Sequence, residues 1–173
     1  MLETKRLYLK LWEETDVAAF FRITSNPNIL PAAGCPAIED ETAALQAIRD
    51  DYSSSEEYKV VLKESGEIIG SIGLRFGEDA CSGRQDEPEV GFWLDEAFQG
   101  RGYAAEALEA VLRRAREELR CAAVWGCHYE GNLRSARLLE KFGFSLVRVN
   151  PRGDTRLGYT LPEAELRLAF RPL

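Results

Sequence analysis

Between residues 89 and 129 the chain passes through a short apolar strand pattern, a turn with two glycines, a long amphipathic pattern and a second, almost unbroken apolar run. That order predicts an α/β chain. Glu89-Val90-Gly91-Phe92-Trp93-Leu94 reads as a strand closed by Asp95-Glu96. Ala104, Leu108, Val111, Leu112, Ala115 and Leu119 then recur at helical spacing, and Arg113, Arg114, Arg116 and Arg120 favour the negative end of that helix. Residues 121–129 read as a strand covered on both faces.

The flanking sequence adds elements of both kinds. Residues 6–12 alternate, with Leu7, Leu9 and Leu11 on one face and Tyr8, Lys10 and Trp12 on the other, which predicts a strand. Two helices follow, one capped by Thr15 or Asp16 with Val17, Phe20, Phe21 and Ile23 inward, the other started by Asp40 or Thr42 with Ala44, Leu45 and Ile48 inward. Residues 58–63 and 68–76 predict an antiparallel hairpin across Glu64-Ser65-Gly66-Glu67. A helix over 133–142 is expected to stop at Gly143, and two last strands, 144–149 and 155–161, to flank an Asn150-Pro151-Arg152-Gly153-Asp154 turn. With 173 residues and neither a repeat nor a linker, one domain over residues 1–173 is expected.

Composition narrows the function classes. Lys and Arg number 22 against 29 Asp and Glu, a formal charge of −7 and a pI near 4.9. That sign is wrong for releasing counterions from a phosphate backbone and right for attracting amines, so no nucleic-acid partner is expected. No apolar run is long enough for a membrane span. Cys35, Cys81, Cys121 and Cys127 are scattered without a CxxC, and His128 is the one histidine, so neither a metal nor a disulfide framework is expected. Met1-Leu2-Glu3-Thr4-Lys5-Arg6 meets charge too early for a secretory segment, and a cytoplasmic protein is expected.

The chemistry concentrates at Gln99, Gly100, Arg101, Gly102, Tyr103 and Ala104. Backbone N–H groups at a helix start, with roughly half a positive charge from the dipole, suit a phosphate or pyrophosphate; the alternative is a tight strand-to-helix turn and nothing more. GxxxxGK[ST] is absent, which excludes a P-loop. The segment 100–105 reads as GxGxxA, but a dinucleotide fingerprint belongs in a first βαβ unit, and too little chain follows it for a doubly wound sheet.

The same turn resembles the [Gln/Arg]xxGx[Gly/Ala] motif of the GNAT superfamily of N-acetyltransferases. The resemblance extends to Glu89–Leu94, to Tyr103-Ala104-Ala105-Glu106-Ala107-Leu108, to the Asn132-Leu133-Arg134-Ser135-Ala136-Arg137-Leu138-Leu139-Glu140-Lys141-Phe142-Gly143-Phe144 stretch and to Glu3-Thr4-Lys5-Arg6-Leu7-Tyr8-Leu9. The branch it is most similar to acetylates ribosomal-protein N-termini. The implied fold is a mixed, splayed sheet of about seven strands with about four helices.

Implied with it are acetyl-CoA as acyl donor without a metal, an amine acceptor that is a peptide N-terminus or a small molecule, and a monomer or homodimer. The backbone of Phe92 and Leu94 would hold the pantetheine arm like an added strand, and Trp93 between them is counted with the cofactor site, its side chain on the opposite face being either core or part of the acceptor groove. Asn132 would contact the cofactor as well as cap its helix, and Ser135 would protonate the departing thiolate, because Leu139 stands where many members carry a tyrosine. Glu89 is the candidate base. Glu106 reads as structural, and His128 as a core histidine. Because an α-amine has a pKa of about 7.7 to 8.0 and lysine about 10.4, a lysine acceptor needs roughly 3 kcal/mol more at pH 7 to become nucleophilic. An α-amine-like acceptor is therefore expected. A CoA-binding sensor that has lost catalysis is the alternative.

Overall fold

The computed structural model describes residues 1–170. Twelve elements follow in order: β1 (Leu2–Glu3), β2 (Leu7–Leu11), α1 (Val17–Thr24), α2 (Glu41–Asp51), β3 (Glu57–Leu62), β4 (Ile68–Arg75), β5 (Glu89–Leu94), α3 (Tyr103–Glu117), β6 (Ala123–Tyr129), α4 (Leu133–Lys141), β7 (Ser145–Asp154) and β8 (Thr160–Ala169). The strands make one mixed sheet in the order β1-β2-β3-β4-β5-β6-β8-β7. Eight strands stand where about seven were expected. The addition is β1, whose Leu2 and Glu3 pair with Leu9 and Tyr8 of β2.

Residues group into two compact units. The first comprises Met1–Pro31, Pro36–Gly73 and Phe92–Val111. In it β2, β3 and β4 form an antiparallel ladder, with Gly66 at φ +73° in the hairpin. Asp40 caps α2 by accepting from the Ala43 N–H at 2.8 Å. Asp16, one of the two caps expected for α1, occupies the N-cap position, but its carboxylate accepts from the Glu13 N–H and from Lys59 and not from the helix. The alternation of β2 stops one residue early: Leu7 and Leu9 are fully buried, but Leu11 is exposed and Trp12 is buried in its place. An aromatic cluster causes this, since Trp12 stacks edge-on to Phe20 at 5.0 Å and donates to the Ser71 hydroxyl at 2.9 Å.

The second unit comprises Ala32–Cys35, Leu74–Gly91 and Leu112–Leu173. In it β6 runs parallel to β5 through Glu89↔Trp125 and Val90↔Gly126, and antiparallel to β8 along its whole length. Gly126 lets α4 lie close, because a Cβ there would meet the Leu139 side chain at 2.7 Å. The last hairpin differs from expectation. Residues 150–154 lie inside β7, with the irregular register between Asn150 and Gly153 accommodating Pro151, and the turn falls after Asp154. Gly158 at φ +83° and a Thr155 hydroxyl bonded to the Tyr159 carbonyl shape that turn.

Candidate active site

In the first unit β5 ends at Leu94, and a single 3-10 turn leads to Gln99, whose side-chain amide donates to the Leu94 carbonyl at 2.8 Å. The chain then turns through Gly100 at φ +76° and Gly102 at φ +83° into α3. L side chains rarely adopt these angles, and neither glycine faces a crowded neighbour. The turn is built for backbone exposure. The first N–H groups of α3 have no partner within the helix and point out of its positive end.

Arg6 braces this turn from β2's approach. Its guanidinium donates to the Arg101 carbonyl at 3.0 Å, lies 4.3 Å from the Tyr103 ring centre and pairs with Glu106 at 2.7 Å. Glu106 also accepts from the Thr4 hydroxyl and the Arg6 N–H. Burial pushes the Glu106 carboxyl up, but these donors outweigh it and hold it below the ordinary glutamate value. Glu106 thus ties the N-terminal segment to the start of α3.

Of the β5 residues, Leu94 is buried while Phe92 and Trp93 are half-buried. The Trp93 indole belongs to the aromatic cluster: it lies 5.7 Å from Phe20 and 6.0 Å from Trp12 and donates to the Tyr52 hydroxyl at 3.0 Å. Its side chain is a core group.

Glu89 belongs to the second unit. It is half-buried, and its carboxylate accepts from the Cys81 backbone N–H at 2.8 Å. The Cys81 and Cys127 sulfurs and a Glu89 oxygen all lie within 4.8 Å of one another. A hydrogen bond to Cys81, then burial, then the Glu89 charge push the Cys127 thiol well above the ordinary range. Sharing that face of β6 and β8 are Tyr129 and, opposite it in the ladder, Glu163. Burial, then the charges of Glu89 and Glu165, push the Glu163 carboxyl up to about 7. Burial and the Glu163 charge also raise Tyr129 to about 12.

Two glycines make room here. A Cβ on Gly34 would strike the Tyr129 ring at 2.4 Å, and one on Gly153 would meet Glu163 at 2.6 Å. Asn132 caps α4 through its oxygen, which accepts from the Ser135 N–H at 3.2 Å, while its amide donates to the Ala32 carbonyl at 2.9 Å. Both ends of that side chain are engaged within the protein. Ser135, half-buried, lies on the first turn of α4. His128 is half-buried, with Nδ1 3.2 Å from the Tyr129 carbonyl.

Residues 6–145 match the model of the acetyltransferase (GNAT) domain. The chain belongs to the GNAT acetyltransferase family. It is 26% identical over 144 residues to the uncharacterized N-acetyltransferase YnaD of Bacillus subtilis, covering 82% of this chain and 81% of YnaD. It is 30% identical over 100 residues to the spermine/spermidine N(1)-acetyltransferase of the same organism, covering 55% of this chain and 64% of that one. Among solved structures, a GNAT-family acetyltransferase from Bacillus anthracis superposes with a TM-score of 0.84 at 19% identity, with 97% of each chain covered.

In this GNAT chain the turn, Glu89, Asn132 and Ser135 are candidates legible in the sequence, whereas Glu163 and the Cys81–Cys127 proximity emerge only from the fold. The signal for Glu163 is its alternation with Glu165 along β8, which an expected turn at 150–154 and a last strand ending at 161 hide.

Proposed function

We propose that this chain, as one domain over residues 1–173, moves the acetyl group of acetyl-CoA to a primary amine, a protein N-terminus or a small molecule, by direct attack in a ternary complex. The observation that carries the reading is the turn from Gln99 into α3, whose two positive-φ glycines present backbone N–H groups at a braced helix start, as a pyrophosphate requires. The β5–β6 ladder consists of two pairs, so the β5 backbone beyond Val90 is a fitting partner for the pantetheine amides. Phe92 and Leu94 act there through backbone groups.

The neutral amine attacks the thioester carbonyl carbon. A C–N bond forms, the C–S bond breaks, and the amine proton passes to a carboxylate while CoA leaves as thiolate. Glu89 is the residue we assign as proton acceptor, with Glu163 as a second carboxylate beside it. Ser135 is assigned to return a proton to the thiolate. The carboxylates also favour the approach of a cationic acceptor, and the similarity to a spermine/spermidine acetyltransferase supports a small polycationic amine as readily as the sequence motifs support a peptide N-terminus.

An amine panel scored by CoA release tests the reading. Turnover with an α-amine peptide or a polyamine supports it. Acetyl-CoA binding with no release for any amine would instead identify the catalytically inactive sensor.

A further inference from the structure

The Cys81, Glu89 and Cys127 side chains form a donor set that the acetyl-transfer chemistry leaves partly unused. Two sulfurs and a carboxylate oxygen within 4.8 Å of one another come from three separate places: the loop before β5, β5 itself and β6. A tetrahedral zinc-like ion, with bonds of about 2.3 Å to sulfur and 2.0–2.2 Å to oxygen, holds such ligand atoms ~3.5–3.8 Å apart. Each pair therefore needs to close by at most about 1.0–1.3 Å, within reach of side-chain torsions. The geometry points to a binding site for one thiophilic divalent cation of the zinc class, held by the Cys81 and Cys127 thiolates and the Glu89 carboxylate, with its fourth position open.

The surroundings suit a cation better than an oxidant. The Glu89 carboxylate lies among the thiols, and Glu163 and Glu165 stand on the same face of β8, so the site is lined with acidic groups that attract a cation able to displace the thiol protons. Glu165 is paired with Arg148 at 2.6 Å, and the Arg148 guanidinium donates to the Cys81 carbonyl at 3.4 Å, on the loop that carries the first sulfur. The Glu89 oxygen is already oriented by the Cys81 N–H, the kind of outer-shell bond that ligating carboxylates have. A bound ion would occupy the carboxylate assigned above as proton acceptor. Binding itself does not rest on that assignment; inhibition by the ion does.

Cobalt(II), titrated into the full-length, thiol-reduced, metal-stripped protein, reads the site directly through thiolate-to-cobalt charge-transfer absorbance, with zinc added as competitor. One cobalt per chain is expected, displaced by zinc. Cys81→Ser and Cys127→Ser should each weaken binding by more than the ~100-fold that an outer-shell change costs, and Cys35→Ser should leave it unchanged. Cys81→Ser lies in a loop, so it decides the matter even if the β6 variant folds poorly, and an unaltered acetyl-CoA affinity shows that each variant is folded. No charge-transfer band, or one that survives in Cys81→Ser, overturns the site. Cobalt binding with undiminished acetyl transfer would uphold the site and instead contradict the role given to Glu89.

Discussion

Arg6 and Glu106, 100 positions apart, meet in a 2.7 Å ion pair through which the N-terminal segment grips the helix that begins at the glycine turn. The pair sits on a helix start, where a carboxylate is favoured by the dipole and the arginine adds positive charge next to the exposed backbone N–H groups. One arginine thus ties both the glycine turn and the first turn of α3 to the N-terminal segment.

Glu106→Ala would remove the acceptor shared by the Arg6 N–H, the Thr4 hydroxyl and one guanidinium N–H of Arg6. A loss of ~2–3 kcal/mol is expected from hydrogen bonds to a charged group, lowering Tm by ~5–10 °C in a chain of this size. Because the folded carboxyl is held below its unfolded value, its contribution is full above the ordinary glutamate range and fades as pH falls through it. The wild-type advantage over Glu106→Ala in thermal melts should therefore shrink on acidification below about pH 4. An advantage that stays constant would refute the pairing.

Gly102→Val places a branched side chain at φ +83°, where the nearest obstacle is the flexible end of Arg6 at 3.4 Å. The chain should still fold. Losing one backbone contact to an anion, worth ~1.5–3 kcal/mol, should weaken acetyl-CoA binding ~10–100-fold by calorimetry. Equal affinity in the variant would remove the turn from the site.

Which features could be read beforehand follows from the range of the forces involved. The glycine turn and the α3 stripe are local, written in φ preference and a 3.6-residue period, so residues 99–117 are legible, while Leu119, expected as the last residue of the stripe, lies past the helix end. Trp12 is not legible, because an aromatic cluster assembled from α1, α2 and β5 overrides the alternation of β2. Pro151 and Gly153 carry turn chemistry, yet the β8 ladder absorbs them as an irregularity. That displacement put Glu163 past the end of the expected strand. The meeting of Cys81 with Cys127 depends on the pairing of β5 with β6 and on the path of the loop before β5, which spacing in one sequence does not encode.

Ser135→Ala should lower kcat by at least about tenfold with little change in acetyl-CoA affinity, since general acid catalysis is worth ~100-fold or more when it operates fully. The Asn132 cap accepts from the Ser135 backbone and survives the change. Steady-state kinetics with calorimetry separate the outcomes: an unchanged kcat would leave Ser135 as a helix-start residue.

The most direct test of acetyl transfer by direct attack is the initial rate of CoA release with acetyl-CoA and an α-amine peptide or polyamine varied together, in wild type and in Glu89→Gln, with a chelator present. Intersecting double-reciprocal lines are expected, showing that both substrates must be bound before CoA leaves, with Glu89→Gln lowering kcat ~100-fold or more while acetyl-CoA affinity holds. Parallel lines, with CoA released before the amine binds, would contradict the account by showing an acetylated enzyme in place of the ternary complex.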